Sequence, residues 1–334
     1  MINSEYSVNV TAFPRVHMGL LDCGYATERL YGGLGVAVDG LFTQISASPA
    51  DEWRVVFSKK IQASLRTSND MASLVQRLER AMEPSCITVE NMAPEHLGLG
   101  SKTTLLLGTT TAALAARRQP LNRETIIDLT KRGGASGIGV NLFWEGGMIA
   151  DGGHKIRPAD RIFAPSSSKK PYAIPPIISR LKMPSDWKIR LCYDPSFHKI
   201  EGEREVEMFR KVMPIADIQC LTAIALVYHG ILPSVLEVDL KCFANVLRQM
   251  NAVGMKDVEV RCQTAATRQF LDIMWSEQIA AGLSSFGPSV FVVGEKDSPD
   301  MDIAHEVANE QGLINLGLFD FKNTGASISQ NPDG

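Results

Sequence analysis

Polar and apolar residues alternate through 6–13 (YSVNVTAF) with the two-residue period of a half-buried strand, and after an HMGLLD turn the segments 35–39 and 42–47 predict further strands. The period then lengthens. In 69–82 (NDMASLVQRLERAM), Met71, Leu74, Val75, Leu78 and Met82 fall on one helical face behind Asn69 and Asp70 as cap candidates. A strand at 86–89, a small-and-apolar helix over 103–117 and a helix over 122–131 follow. The runs VNLFWEGG and MIADGG read as two strands joined in a hairpin at Gly146 and Gly147. Beyond 165–185, which holds five prolines and a Ser/Lys cluster, the pattern predicts a strand at 187–193, helices near 203–212, 215–230, 234–253 and 264–281, a strand at 289–294, a helix near 299–311 and a short strand at 313–316. These elements describe an α+β fold in two domains, 1–165 and 185–325, with a polar, Gly/Ser-rich tail at 326–334 expected to be disordered.

Composition narrows the function classes. A chain of 334 residues with 45% hydrophobic and 21% charged residues can bury a substantial core. Its net charge of −3 offers no global attraction to nucleic acid or an acidic membrane, so an anion site must come from local geometry and local cations. The longest apolar stretch, 220–233, is read as a core helix too short to span a bilayer. The six cysteines form no C-x-x-C pair and are read as free thiols. MINSEYSVNV lacks the basic start and apolar core of a signal peptide, and the expected location is cytoplasmic.

Candidate chemistry gathers in four glycine-bearing motifs: RVHMGLLD with ERLYGGLG (15–22, 28–35), PEHLGLGSKTT (94–104), RGGASGIG with DGGH (132–139, 151–154), and GLSSFGPS (282–289). The second has the makings of a phosphate cradle. Gly98 and Gly100 let backbone N–H groups converge, and Ser101, Thr103 and Thr104 add hydroxyls at the positive end of the helix that follows. Neither the Walker A spacing nor the Rossmann fingerprint fits, because the latter needs a glycine where Thr103 stands. Arg15, Arg29 and Lys102 are the cations to aim at phosphate, and Gly33, Ser136, Ser284 and Ser285 join them as substrate-binding candidates. His17 and His154, with Asp151, are candidates for proton transfer, and His96 also lies in a motif. Asp22, Asp39, Glu95 and Asp151 are candidate bases or Mg²⁺ ligands, with Glu95 preferred for the metal; the alternative for each is turn or helix capping.

The run 94–102 resembles the phosphate-loop motif of the GHMP kinase superfamily, P-x-x-x-G-L-G-S-S. The order RVHMGLLD, YGGLG, EHLGLGS, RGGASGIGV, GG…DGG and SSFGPSV is more closely similar to the non-kinase β-ribofuranosylaminobenzene 5′-phosphate synthases. The resemblance implies a GHMP-kinase-like α+β fold, cytoplasmic homodimers, and Mg²⁺-dependent transfer of ribose 5-phosphate from phosphoribosyl pyrophosphate to an aromatic carboxylic acid, with loss of CO₂ and pyrophosphate. Two departures matter. Gly139 stands where the kinases carry a catalytic Asp after S-G-I, which weakens the alternative of an ATP-dependent small-molecule kinase. Within the synthases the loop continues G-L-G-S-G-T-Q, whereas Lys102 and Thr104 replace the Gly and Gln here. In length and motif set the chain looks most like the C-glycoside synthases of formycin-type antibiotic biosynthesis, which implies 4-amino-1H-pyrazole-3,5-dicarboxylate as acceptor; 4-hydroxybenzoate or 4-aminobenzoate is the alternative.

Overall fold

Strand β1 (Ser7–Ala12) buries every second side chain, as its alternation requires, and sits between β4 (Thr43–Pro49) and the last strand of the chain, β14 (Ser327–Asn331). The structure, a computed structural model, describes residues 6–157, 173–197, 207 and 211–331. The expected disordered tail is therefore corrected over 327–331: Ser7 to Thr11 pair antiparallel with Asn331 to Ser327. A polar strand of this kind gains its order from ladder hydrogen bonds rather than from side-chain burial, a source of stability its composition does not display. The sheet is completed by β6 (Ser85–Asn91) and, parallel to it, β5 (Arg54–Phe57), in the order β14-β1-β4-β6-β5.

Helix α1 (Leu65–Leu78) starts earlier than its apolar stripe predicts, because Ser64 takes the cap and accepts from Thr67 N at 3.2 Å. Helix α2 (Ser101–Ala116) lies across the first sheet with no polar face, burying even Thr109, Thr110 and Thr111. Gly108 permits this: a Cβ there would lie 2.7 Å from the Ile45 side chain. Helix α3 (Arg123–Thr130), capped by Asn122, packs beside it.

A second sheet has β3 (Arg29–Ala37) between β2 (Arg15–Asp22) and β7 (Met148–Asp151), with β9 (Ile177–Leu181) outside β7 and the short β8 (His154–Lys155) paired to β3. The segment expected to be a turn, HMGLLD, is thus part of a buried strand carrying a bulge between His17 and Gly19. Of the expected hairpin at 140–153 the second strand is present as β7 and the first is corrected, since Ile138–Glu145 forms helix α4. Its apolar residues point two ways: Val140 and Phe143 face the core of the first sheet, while Ile138 and Leu142 face Ala37 and Ile149 of the second. A helix buried on both sides has no polar period to distinguish it from a strand.

The C-terminal half contributes the antiparallel sheet β11-β12-β10-β13, built from Ala280–Leu283, Ser289–Glu295, Trp187–Tyr193 and Ile314–Phe319. It also contributes helices α5 (Asp217–Leu226), α6 (Leu232–Leu236), α7 (Leu240–Asn251), α8 (Gly254–Arg261), α9 (Ala265–Ser276) and α10 (Pro299–Glu310). The helix expected near 203–212 lies largely outside the described residues. A π-helical turn, Val227–Ile231, joins α5 to α6 just before Pro233, which has no N–H to give the helical ladder. The continuous run Asp217–Leu236 has 20 residues and a mean hydropathy of 1.5, so by length and composition it could cross a membrane, contrary to the shorter reading above. Ala223, Val227, Ile231, Leu232 and Val235 pack it into the main core. That core also takes Val16 and Val36 of the second sheet with Trp187, Phe243 and Phe291, so apolar packing crosses the 165–185 boundary.

Candidate active site

All four glycine motifs contribute to one cleft of about 240 Å³. Its floor is the N-terminus of α2. Gly100, at φ +80°, caps the helix without a side chain, and Gly98, at φ +74°, passes so close to the 284–287 loop that a Cβ would lie 2.7 Å from Gly287 O. Both positions demand glycine, and both leave the first N–H groups of α2 facing the cleft.

Two arginines flank this end. Arg15, from the start of β2, donates through Nη1 to Gly98 O, while its buried Nε has no hydrogen-bond partner. Burial, then the nearby Arg132 charge, lowers its pKa to about 10. Arg132, just before the RGGASGIG glycines, donates to Thr103 Oγ1 through Nε at 3.2 Å and Nη2 at 3.1 Å. Its pKa too is lowered, chiefly by burial. Neither guanidinium has a carboxylate within ion-pair distance among the described residues, although a desolvated charge is costly without a countercharge. On the α1 side, Arg66 lines the cleft and Lys102 pairs with Asp70 at 2.7 Å.

His17 stands opposite. It is 5% exposed, and its Nε2 lies 2.9 Å from Ser136 Oγ. Burial, helped by the charges of Arg15 and Lys256, pushes its pKa well below the usual imidazole range, so the ring is neutral. A neutral ring offers one donor and one acceptor, not another cation.

The cleft brings together Gly98, Gly100, Ser101, Lys102, Thr103, Arg15, His17, Ser136, Ser285, His96 and Glu95, all expected from the motifs. Thr104, Gly33 and Ser284 stand behind its wall: Thr104 Oγ1 donates to Ser101 O at 2.9 Å, a Gly33 Cβ would strike Ile138, and Ser284 Oγ links His17 N to Gly98 O. Arg29, Asp151 and His154 lie elsewhere. Arg29 donates to Gly152 O and to Gly153 O, the latter at 2.7 Å, and Asp151 Oδ1 accepts from Gly153 N at 2.9 Å, closing the DGGH turn on itself. His154 is buried with its ring edge-on to Tyr31, 6.4 Å away. Asp22 caps the 24–27 turn and Asp39 pairs with Lys322 at 3.1 Å, the capping and pairing roles weighed against catalysis.

Glu95 does not fit the metal-ligand role. Its Oε2 accepts from Ser64 N at 3.0 Å and its Oε1 from Ser64 Oγ at 3.1 Å and from Thr67 Oγ1. No group of three His, Cys, Asp or Glu able to hold a metal exists among the described residues. Arg66, Asp70, Arg132 and Glu259 are the charged cleft residues that the motif reading did not name as site candidates. Arg132 was detectable as the residue that opens its glycine run; Arg66 and Glu259 carry no local signal.

The solved structures that this chain resembles include small-molecule kinases. Homoserine kinase from Cytophaga hutchinsonii aligns over 97% of this chain and 97% of its own with a TM-score of 0.65 at 14% identity. Phosphomevalonate kinase from Streptococcus pneumoniae aligns over 94% and 99% with a TM-score of 0.64 at 10% identity. At these identities the likeness is one of fold: the chain has the GHMP-kinase-like α+β fold.

No protein-family model matches the chain. Among curated proteins, β-ribofuranosylphenol 5′-phosphate synthase from Methanothermobacter thermautotrophicus is 30% identical over 321 residues, 93% of this chain and 95% of the relative. The protein of the same name from Methanocaldococcus jannaschii is 30% identical over 84% of this chain and 88% of its own. The chain belongs to the β-ribofuranosylphenol 5′-phosphate synthase family.

Proposed function

We propose that this protein transfers ribose 5-phosphate from phosphoribosyl pyrophosphate to a ring carbon of an aromatic carboxylic acid. The observation that carries the reading is the pair of desolvated arginines, Arg15 and Arg132, set at the N-terminus of α2 with no carboxylate within ion-pair distance among the described residues. Such an arrangement stabilises an anion that gains charge as it leaves. The anomeric C–O bond breaks with its electron pair departing on pyrophosphate, and the ring's π electrons form the new C–C bond at the carbon bearing the carboxylate. The C–CO₂ bond then breaks, its pair restores aromaticity, and CO₂ departs. Neutral His17, held against Ser136, accepts a hydrogen bond from the acceptor's hydroxyl, amino or ring N–H and so keeps electron density on the ring. Mg²⁺ belongs in this scheme to the substrate, arriving with the pyrophosphate.

Support for the acceptor divides. The relatives' name favours a phenolic product, hence 4-hydroxybenzoate, with 4-aminobenzoate as its amino counterpart. The four cations lining the cleft, Arg15, Arg66, Lys102 and Arg132, favour a more highly charged acceptor such as 4-amino-1H-pyrazole-3,5-dicarboxylate. Incubation with phosphoribosyl pyrophosphate, Mg²⁺ and each acid in turn, following CO₂ and the mass of a C-riboside phosphate, decides between them. Turnover of ATP with a small alcohol, and no C-riboside from any acid, would replace the proposal with the kinase reading, for which Gly139 supplies no carboxylate.

A further inference from the structure

Lys256 is 1% exposed, and a buried ammonium is retained only where its charge and all its donors are answered. It stands in the first turn of α8, its stem passing Gly19 of β2, where a Cβ would come within 3.8 Å of Lys256 Cε. Its Nζ pairs with the Glu259 carboxylate one turn along the helix. It also donates to Leu283 O at 3.0 Å and approaches Ser285 O at 3.4 Å and His17 O at 3.5 Å. These carbonyls belong to two distant segments, the bulged strand β2 and the loop between β11 and β12.

Both segments bear on the cleft. The bulge turns the His17 carbonyl toward the loop, where Ser285 N donates to it at 2.9 Å; on the other side of the residue, His17 N donates to Ser284 Oγ at 3.1 Å. Ser285 is held at φ +54°, a left-handed conformation that a serine adopts only when its surroundings impose it. Glu259, 3% exposed, lines the cleft and supplies the negative charge between Lys256 and Arg15. One ammonium thus ties the backbone that carries His17 to the loop that clamps it, and holds the carboxylate that faces Arg15.

We infer that Lys256, with Glu259 as its counter-ion, is a positioning residue that sets the placement of the His17 imidazole in the cleft. The inference rests on the transfer reaction proposed above for its kinetic arm, but not for its structural arm.

The test compares Lys256→Met with the double variant Lys256→Met/Glu259→Gln, which leaves neither member of the Lys256–Glu259 pair as an unpaired charge and so keeps a folded protein available. Melting temperature, steady-state kinetics and the ¹⁵N signals of the His17 ring in unliganded protein, assigned by comparison with His17→Gln, are read for each. The expected result is that the double variant recovers most of the melting temperature lost by the single one. Its kcat nevertheless stays about 10²-fold down, with the KM for phosphoribosyl pyrophosphate little changed, and its His17 signals stay displaced. A double variant with wild-type kcat and wild-type His17 signals would overturn the inference and reduce Lys256 to a counter-ion. If the wild-type protein forms no C-riboside from any acid, the ring signals alone decide: displaced in the double variant they uphold the positioning role, unmoved they end it.

Discussion

The loop at 94–104 and the turn at 151–154 are built from the same materials. Each combines a carboxylate, a histidine and glycine at positive φ (Gly98 and Gly100 in the first, Gly153 in the second), and each is met by an arginine from a strand of the second sheet. They differ in where the arginine's hydrogen bonds go. Arg29 spends Nε and Nη2 on the carbonyls of Gly152 and Gly153, and Asp151 Oδ1 caps the same turn, so the arginine is used up by the backbone even though the buried Asp151 Oδ2 has no hydrogen-bond partner. Arg15 gives one donor to Gly98 and keeps a buried Nε without a partner beside the open end of α2. Glycine with charge marks a tight turn. What separates the ligand seat from the structural turn is a cation's donor left over beside a helix N-terminus after the backbone has been served.

Substitutions at the two arginine positions test this contrast. The largest effect is expected from Arg132→Met, which removes a cation at the α2 terminus while keeping the stem's volume. Its kcat/KM for phosphoribosyl pyrophosphate should fall about 10²–10³-fold with the melting temperature nearly unchanged. Arg29→Met should do the opposite, lowering unfolding free energy by about 1–3 kcal/mol as two carbonyls lose their donor, with kinetics per folded molecule preserved. Denaturant titration and steady-state rates measure both. An Arg29 variant that folds normally but cannot turn over would erase the distinction drawn between the two motifs.

Asp151 sharpens the comparison through pH. Burial raises its pKa from 3.8 to about 7, so between those values the folded protein holds a proton that the unfolded chain releases, and folding is penalised increasingly as pH rises. Asp151→Asn has no such titration. Its stability relative to the wild type should climb from pH 4 to 7 and level off above, as read from urea unfolding at pH 5 and pH 8; a difference independent of pH would mean that the carboxyl is ionised in the fold. The smallest effect is expected at Lys102, whose ion pair with Asp70 is partly exposed. Lys102→Gln should raise the acceptor KM only about two- to fivefold. The rise should be larger for the pyrazole diacid than for 4-hydroxybenzoate, and equal small rises for both would remove Lys102 from acceptor choice.

The fold was legible wherever period and burial agree. Strand 187–193 and the stripe of α1 could be read because each has one face in a core and one outside it, whereas strand 289–294, buried on both faces, could be read from its β-branched and aromatic run. Helix α4 was not legible, since two cores claim opposite sides of it, nor was β14, whose order comes from backbone pairing with a strand more than three hundred residues earlier. HMGLLD looked like a turn because Gly19 interrupts it, whereas the glycine lies beside the bulge that presents His17.

Local sequence determined the anion seat itself: two glycines confined to positive φ by the bend they make, directly before the N-terminus of a helix, the end that carries its positive dipole. Those requirements involve only neighbouring residues. The company the seat keeps was decided by tertiary structure, which brings Arg66, Arg132 and Glu259 to the cleft, turns Arg29 away and buries Lys256 beneath His17. The reason is that backbone conformation is settled over a few residues, while the partner of a charge and the solvent around it are settled by segments hundreds of residues apart, and these pairings separate a site from a turn.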